Sequence, residues 1–291
     1  MPKPLFIVGK HRSGTTLIGN LMINHPNVSG VSDENHEGIH ESAFFSYLDG
    51  RYGDLHNFQN YVEFLSVFAN SDYFKLCKGN FEEFLNLYPV SYSDVFRKLM
   101  DDFAIKQNTS FWVEKTPNHT HYIQRIGNYY ENAKFIGIKR DIIDVVRSLL
   151  YLLKNKKWNI FQRYKTVAKV TVDKYLCDRE MELLKKRSPS KIVIVQFDEL
   201  IEERTKTMKR IFEFLDLKNN PVQSDYKKNS SFKTNQKTNL KNTETWLVYF
   251  LTYLLLPVVP VNILKRLKRP ERFKSLPRWF FKGIKREELS E

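Results

Sequence analysis

The stretch PLFIVGKHRSGTT, residues 4–16, decides the fold class. It opens with a short apolar run of strand-forming residues, 5–8, which leads into a polar turn bounded by Gly9 and Gly14. The residues after the turn, 15–22, place apolar side chains at helical spacing, so the stretch predicts a strand, a loop and a helix in that order. A buried strand that runs through a glycine turn into a helix is typical of a phosphate-binding loop.

The same alternation of strand and helix returns later in the chain. Apolar runs followed by helical patterns are found at residues 111–130, 135–153 and 192–215. Strands that read as unbroken apolar runs between helices indicate a parallel sheet that is buried on both faces. We therefore expect an α/β protein with a three-layer, P-loop-like fold around a central parallel sheet.

Two segments depart from this alternation. Residues 39–108 lack a strand pattern and repeat aromatic side chains at helical spacing, which predicts a helical insertion after the first βα unit, near the ligand-binding ends of the strands. Residues 218–243 are polar and rich in lysine and asparagine, which predicts a long loop. We interpret residues 1–243 as one domain and residues 244–291 as a hydrophobic and basic tail with helical character.

Composition narrows the class of protein. Of the 291 residues, 42% are hydrophobic and 27% charged, which excludes a disordered, collagen-like or wholly membrane-embedded chain. The only cysteines, Cys77 and Cys177, give neither a disulfide framework nor the CxxC spacing of a structural zinc site, so we expect a reducing compartment. The formal net charge of +14 predicts an anionic partner. The apolar run at residues 4–8 is too short for a signal peptide, so we expect a cytoplasmic location.

The glycine turn has the spacing of a P-loop, GxxxxGK[ST], but not its lysine. Thr15 stands where a nucleoside triphosphatase needs a lysine on the β- and γ-phosphates, and the cation of the turn is Arg12 instead. We therefore expect this loop to bind a dianionic group without acting as an ordinary nucleoside triphosphatase.

Two motifs in the chain resemble those of the sulfotransferases that use 3′-phosphoadenosine 5′-phosphosulfate (PAPS). RSGTTL at residues 12–17, followed shortly by HPNV, is similar to the 5′-phosphosulfate loop of that family. KFIGIKRDIIDVVRS at residues 134–148 is similar to its 3′-phosphate element, in which an Arg ends a strand and a Ser follows eight positions later. EKTP at residues 114–117 and QFDEL at residues 196–200 are weaker matches, and the resemblance covers residues 5–217.

This resemblance implies a set of nucleotide-binding and catalytic residues. It implies PAPS as the co-substrate, its product 3′-phosphoadenosine 5′-phosphate (PAP), and no metal. Arg12 and Lys115 are expected to supply catalytic positive charge to the sulfuryl group and the leaving phosphate. Leu17, where small-molecule sulfotransferases typically have Trp, favours the carbohydrate- and protein-modifying branches and their bacterial relatives. The residues expected to bind the nucleotide are Arg12, Ser13, Gly14, Thr15, Thr16, Arg140 and Ser148.

The resemblance also implies a Glu as general base in the acidic segment SDENHE, residues 32–37. Glu34 is the predicted base, and Asp33 is the first alternative because the preceding strand is uncertain in length by one residue. Glu37 is a further alternative for the base, and Glu37 and Glu41 are candidates for the acceptor site instead. A plain helix start with Asp33 as N-cap is the non-catalytic interpretation. Four histidines are expected to be surface or hydrogen-bonded residues rather than bases: His36, His40, His119 and His121.

Two C-terminal segments are predicted to contact the nucleotide and a membrane, respectively. In the loop 218–243 the resemblance implies a basic cover over the nucleotide, with candidate contacts at Ser230, Ser231, Phe232 and Lys233. Residues 246–264 carry no formal charge and, as one helix, would be about 28 Å long, close to the thickness of a bilayer core. Residues 265–291 contain ten Lys or Arg and four Asp or Glu, a pattern attracted to anionic lipid.

We therefore expect a peripheral or anchored association of the tail with the cytoplasmic face of a membrane. Deleting residues 246–291 should then leave a soluble protein that still binds PAP. The alternative is that residues 246–264 form a helix packed on the domain.

The leading functional hypothesis is sulfuryl transfer from PAPS to a hydroxyl or amine of a carbohydrate, lipid, peptide or small molecule, with carbohydrate or lipid favoured and no nucleic acid partner. One alternative is a P-loop nucleotide or small-molecule kinase, which the Thr15 position opposes. Another is a non-catalytic basic module at the membrane surface, which leaves the spacing of Arg140 and Ser148 unexplained.

Overall fold

The computed structural model describes residues 1–33, 38–153, 155, 157–219, 240–266 and 273–281 of the chain. Its centre is a parallel sheet of five strands in the spatial order β2-β3-β1-β4-β5. The strands are β1 Lys3–Val8, β2 Val28–Gly30, β3 Phe111–Lys115, β4 Lys134–Lys139 and β5 Ile192–Gln196. The predicted α/β class with a central parallel sheet is confirmed.

The helices surround the sheet and extend from it. The α-helices are α1 Thr15–Ile23, α2 Phe58–Ala69, α3 Asp72–Leu76, α4 Phe81–Leu85, α5 Tyr92–Lys106, α6 Ile123–Tyr129, α7 Ile142–Leu152, α8 Ile160–Arg187, α9 Phe197–Glu202, α10 Arg204–Phe214, α11 Asn242–Tyr249 and α12 Val261–Arg266. The 3₁₀ turns are Pro117–Tyr122, Pro189–Lys191 and Arg278–Phe281, and the π-helical turns are Phe44–Leu48 and Phe250–Leu255. Helices α2–α5 form the predicted insertion.

Strand order places three sequence-distant segments side by side. β1 lies between β3 and β4, with Ile7 paired to Lys115 and Val8 paired to Gly137. Because parallel strands end at the same edge of a sheet, the glycine loop after β1 lies between the ends of β3 and β4. Lys115 and Arg140 are therefore at the two sides of that loop.

The two faces of the sheet bury different kinds of side chain, because successive residues of a strand point to opposite faces. The face toward the insertion is largely aromatic and includes Phe6, Phe44, Phe45, Phe64, Phe96, Trp112 and Phe135. The opposite face packs aliphatic residues against α1 and α10, among them Leu5, Ile7, Leu17, Ile18, Val113, Ile136 and Ile211. Burial on both faces explains the unbroken apolar runs of the strands.

The uncharged run near the C-terminus forms the second half of α11, the π-helical turn Phe250–Leu255 and the start of α12, and it packs along α8. Val248 is buried against α7 and α8, and Leu251, Leu256 and Leu264 are buried with Leu176 of α8. Along the described part of the chain, we find no helix with both the length and the apolar character needed to cross a membrane. Residues 246–264 thus pack on the domain along one side, as the alternative interpretation of this run predicted.

Candidate active site

The glycine loop is shaped so that only glycine fits at its two ends. Gly14 has φ +98°, and a Cβ there would lie 2.4 Å from the ring of Phe197. A Cβ on Gly9 would lie 2.5 Å from the carbonyl oxygen of Ile138. Helix α1 follows directly, and none of the described side chains caps its N-terminus. Its first backbone N–H groups and the positive end of its dipole are therefore suited to an anion.

Two polar atoms at this loop are buried and have no hydrogen-bond partner among the residues that the structure describes. Ser13 is fully buried, and within the described ranges its Oγ makes no hydrogen bond. Nε of Arg140 is also buried and makes no hydrogen bond within these ranges. Buried polar groups are normally paired, so an unpaired hydroxyl and an unpaired guanidinium N–H at one loop indicate a place for a ligand with acceptor oxygens.

The two predicted nucleotide motifs meet at the loop. Arg12 Nε donates to Ser148 Oγ at 3.0 Å, and Arg140 Nη1 donates to the carbonyl oxygen of Arg12 at 3.1 Å. The guanidinium of Arg140 also lies 4.3 Å from the ring centroid of Phe197, a cation–π contact that holds it in place. The nearby Asp141 is engaged as the N-cap of α7, accepting from the N–H of Ile143 at 2.8 Å. Arg12, Arg140 and Ser148 therefore form one cluster of donors.

A buried lysine and a carboxylate lie at the carboxyl edge of the sheet. The side chain of Lys115 is 3% exposed, and its Nζ is 2.8 Å from Oε1 of Glu41. Glu41 precedes the first turn of the insertion and keeps 26% of its side chain exposed. The arrangement gives this edge a fixed positive charge next to a carboxylate that solvent can reach.

A fully buried glutamate fixes the segments that carry this pair. Glu114 accepts hydrogen bonds from Ser42 Oγ at 2.8 Å, Thr116 Oγ1 at 2.5 Å and His119 Nδ1 at 2.8 Å. The other ring nitrogen, His119 Nε2, accepts from the N–H of Phe45 at 3.1 Å. Burial raises the pKa of Glu114, but His119 and these hydrogen bonds outweigh it and hold the pKa below its usual value. The ionised carboxylate thus joins the end of β3 to the start of the insertion.

His11, inside the glycine loop, is a residue that sequence reasoning passed over. Burial lowers its pKa to about 4; Glu41 and Asp173 oppose this lowering, while Lys10 and Lys115 reinforce it. His11 is therefore neutral at physiological pH and lies within electrostatic reach of the Lys115–Glu41 pair. Its position between two cations, Lys10 and Arg12, was the signal in the sequence that could have identified it.

The chain matches the model of a sulfotransferase family over residues 4–221. The chain belongs to the sulfotransferase family. No curated protein is matched by its sequence. The predictions of family, enzyme class and sulfuryl transfer are confirmed, while the roles of individual residues remain predictions.

Two solved structures share the fold of this sulfotransferase. A sulfotransferase from Alicyclobacillus acidocaldarius is 15% identical, with a TM-score of 0.52 over 92% of this chain and 95% of that chain. The sulfotransferase domain of the Synechococcus PCC 7002 olefin synthase is 14% identical, with a TM-score of 0.50 over 87% of this chain and 95% of that chain. The mouse sulfotransferase SULT7A1, solved with PAP, is 11% identical, with a TM-score of 0.38 over 97% of this chain and 75% of that chain.

In this sulfotransferase a polar network ties the glycine loop to α8. Lys10 Nζ contacts a carboxylate oxygen of Asp173, and the other oxygen is 2.9 Å from His121 Nε2. Cys177 Sγ is 3.4 Å from the same ring nitrogen. The potential ligand atoms of His121, Asp173 and Cys177 lie within 4.8 Å of one another. Because the ammonium of Lys10 already neutralises the carboxylate, we interpret the group as a hydrogen-bonded link.

Several predicted residues lie outside the part of the chain that the structure describes. These are the predicted base Glu34, the alternatives His36 and Glu37, and the loop candidates Ser230, Ser231, Phe232 and Lys233. Asp33 is described, and its Oδ2 lies 2.7 Å from His40 Nε2. Asp33 and His40 therefore face each other across the two ends of the segment that carries Glu34.

Proposed function

We propose that this sulfotransferase transfers the sulfuryl group of PAPS to a hydroxyl group of its acceptor. The observation that carries the proposal is the convergence of Arg12, Arg140 and Ser148 at the glycine loop. Two motifs more than a hundred residues apart supply donors to one place, as a nucleotide with two separate anionic groups requires. A kinase is disfavoured because Thr15 replaces the P-loop lysine.

The two anionic ends of the nucleotide would bind different parts of the cluster. The 5′-phosphosulfate would be held by Arg12, the Ser13 hydroxyl and the backbone N–H groups at Gly14, Thr15 and Thr16, where the helix dipole is positive. The 3′-phosphate would be held by Arg140 and the Ser148 hydroxyl. An arginine that already stacks on Phe197 loses little freedom when it binds phosphate, which favours tight binding.

The chemistry is an in-line displacement at sulfur. A base takes the proton of the acceptor hydroxyl, whose oxygen forms a bond to sulfur. The bond from sulfur to the 5′-phosphate oxygen breaks, and PAP leaves with the electron pair of that bond. Arg12 and Lys115 stabilise the negative charge that develops on the sulfonate oxygens and the leaving phosphate.

Two glutamates compete for the role of base. Glu34 is the candidate from the sequence. Among the described residues the geometry supports Glu41, because its carboxylate lies 2.8 Å from the lysine assigned to the sulfuryl group. A base must be within hydrogen-bond reach of the proton it removes, and Glu41 would meet this condition if Lys115 binds the sulfuryl group as proposed. We therefore propose that the two be tested as a matched pair.

The acceptor class and the cellular location are also part of this proposal. We propose a hydroxyl of a carbohydrate or lipid as the acceptor, and a cytoplasmic enzyme that associates peripherally with a membrane. The association is supported by the uncharged residues 246–264 followed by the basic residues 265–291.

Ligand-dependent thermal stability tests the nucleotide assignment. Without added metal, PAP at a hundred times its dissociation constant should stabilise the protein by about 2.7 kcal/mol. AMP, which lacks the 3′-phosphate, should stabilise it much less at the same concentration, and ATP with Mg²⁺ should not exceed AMP. Equal shifts with PAP and AMP, or a larger shift with ATP and Mg²⁺, would contradict the proposal.

A further inference from the structure

An apolar and aromatic surface is exposed where α8 begins and α11 packs against it. Phe161 is 83% exposed, Tyr253 is 66% exposed and Val258 is 75% exposed. The surfaces of soluble proteins rarely expose so many large apolar side chains close together. We call this surface the α8–α11 face, and its members are Ile160, Phe161, Trp246, Tyr249, Tyr253, Leu254 and Val258.

Contacts between the two helices make the face continuous. The hydroxyl of Tyr164, one turn after Phe161 on α8, contacts the hydroxyl of Thr243, one turn before Trp246 on α11. Trp246 then stacks on Phe250 with ring centroids 5.2 Å apart. The rings of Tyr249 and Tyr253 are neighbours, with centroids 6.0 Å apart and planes tilted by 31°.

The underside of the face is fixed to the protein. Val248 is fully buried against α7 and α8. The carboxylate of Glu244 is buried and bonds both Nε and Nη2 of Arg163, with the second contact at 3.0 Å. Burial raises the pKa of Glu244, while Arg163 and the backbone N–H of Lys241 outweigh it and hold the pKa below its usual value. The exposed side chains therefore sit on a rigid support.

The charges around the face are positive. The described residues 157–172 contain four Lys or Arg and no Asp or Glu. Within residues 240–266 the single acidic residue is Glu244, which is buried and paired. Exposed lysines lie on α8, at Lys165, and directly before α11, at Lys241. Tryptophan and tyrosine beside lysine are the composition of surfaces that lie at the headgroup level of anionic bilayers.

The face lies at the same edge of the sheet as the sulfuryl-transfer site. Near the end of α8, Lys185 donates to the carbonyl of Ile192 at the start of β5, and Asp173 contacts Lys10 in the glycine loop. Helix α8 thus passes the sheet from its amino edge to its carboxyl edge. The remaining residues 160–172 extend about 20 Å beyond that edge, and α11 packs on them.

We propose that the α8–α11 face docks on an anionic phospholipid bilayer, so that the carboxyl edge of the sheet lies beside the membrane. This inference rests on the peripheral association proposed above and extends it, because the docking surface includes α8 of the catalytic body and not the tail alone.

Introduced cysteines test this orientation in the full-length protein. Cys77 and Cys177 are buried, so a thiol-reactive environment-sensitive dye should label an exposed introduced cysteine selectively. The variants are Phe161→Cys and Tyr253→Cys, with Ile105→Cys, 62% exposed on α5, as the matched control. The probe is a vesicle of phosphatidylcholine with or without about one-third phosphatidylglycerol.

With the anionic vesicles, dyes at 161 and 253 should shift their emission to the blue and be quenched by spin-labelled lipid, while the dye at 105 should not respond. A response at 253 without one at 161 would show that only the C-terminal tail contacts the bilayer, and it would overturn the inference. A response at none of the three would also overturn it. PAP stabilisation of the same preparations, measured in parallel, separates these outcomes from a failure of the nucleotide assignment.

A double variant, Trp246→Ser with Tyr253→Ser, provides a second measurement. It should lower vesicle affinity by at least about tenfold, since each removed aromatic contributes its buried apolar area, and it should leave PAP binding unchanged. Flotation in low and high salt should show that binding persists at high salt, as an apolar contact requires. A dimer in gel filtration that the double variant converts to a monomer would assign the face to a second copy and overturn the inference.

Discussion

Arg140 contacts the glycine loop and the ring of Phe197, and its Nε has no partner among the described residues. We expect Arg140→Ala to weaken PAP binding by about 10- to 150-fold, the loss of one charge-assisted hydrogen bond of about 1.5–3 kcal/mol. AMP binding should change little, because AMP lacks the 3′-phosphate. Calorimetric titration of both nucleotides measures the difference.

Lys139→Ala is the matched control for Arg140→Ala. It also removes one positive charge, from the residue next to Arg140, but the side chain of Lys139 pairs with Glu182. It should leave the affinity for PAP nearly unchanged. If Arg140→Ala weakened PAP and AMP equally, Arg140 would not bind the 3′-phosphate.

The geometry favours Glu41 as the general base, whereas the sequence motif favours Glu34. Replacing the true base by Gln should lower turnover by about 10²- to 10⁴-fold, the usual contribution of a positioned base, without weakening PAP binding. We expect that loss in Glu41→Gln because its carboxylate contacts Lys115. Single-turnover transfer of radiolabelled sulfuryl groups, with PAP affinity measured alongside, compares the two variants. A full loss in Glu34→Gln with an active Glu41→Gln would restore the sequence-based assignment.

His11 gives the protein a predicted acid sensitivity. Its pKa of about 4 in the folded state lies below the ordinary value of 6.5, so between these two values the unfolded state binds more protons. The stabilising contribution is therefore fully present above pH 6.5 and is lost as the pH falls toward 4. Urea unfolding at a series of pH values should show that His11→Asn loses less stability than the parent over this window. Parallel pH profiles would exclude the role of His11.

At the scale of elements, the Glu114 network joins β3, the 3₁₀ turn after it and the start of the insertion. We expect Glu114→Gln to lower the free energy of unfolding by about 1–3 kcal/mol, because an amide nitrogen would face donors that now bond a carboxylate. The control is Glu182→Gln, whose carboxylate is exposed in an ion pair with Lys139 and should matter by at most about 1 kcal/mol. Equal effects of the two variants on urea midpoints would contradict the role of the network.

The contrast between local and non-local elements explains what the sequence could predict. The strand, loop and helix around Gly14, and the strand and helix around Arg140, were predictable because spacing within one short segment determines them. The contact of Glu41 with Lys115 was not, because it depends on the path of the chain into the insertion and on the register that pairs Ile7 with Lys115. The contact of Lys10 with Asp173 depends likewise on how α8 crosses the sheet.

For the whole molecule, the sequence pattern predicted the sheet, since burial on both faces leaves unbroken apolar runs. It could not predict which side of residues 246–264 would be buried. That run is apolar all round, so its periodicity does not distinguish Val248, which is buried, from Tyr253, which is exposed. Only packing against α7 and α8 makes that distinction.

This packing changes the expected result of removing the tail. Deleting residues 246–291 would remove five buried apolar side chains, Val248, Leu251, Leu256, Leu264 and Phe280, and uncover their partners on α7, on α8 and in the aromatic core. At about 1.5–3 kcal/mol each, the loss is roughly 7.5–15 kcal/mol as an upper estimate, comparable to the whole stability of about 5–15 kcal/mol. We therefore expect aggregation or loss of PAP binding, not the soluble PAP-binding protein that the sequence suggested.

Deleting only residues 282–291 is the matched control, because it keeps every contact described here. That shorter deletion should unfold at the same temperature as the full chain and bind PAP with the same affinity. Thermal unfolding and gel filtration of both truncated proteins, with and without PAP, decide between the two accounts of the tail. If the longer deletion remained monomeric and bound PAP normally, the buried side of the run would contribute little to the fold, and the tail would be a separable attachment.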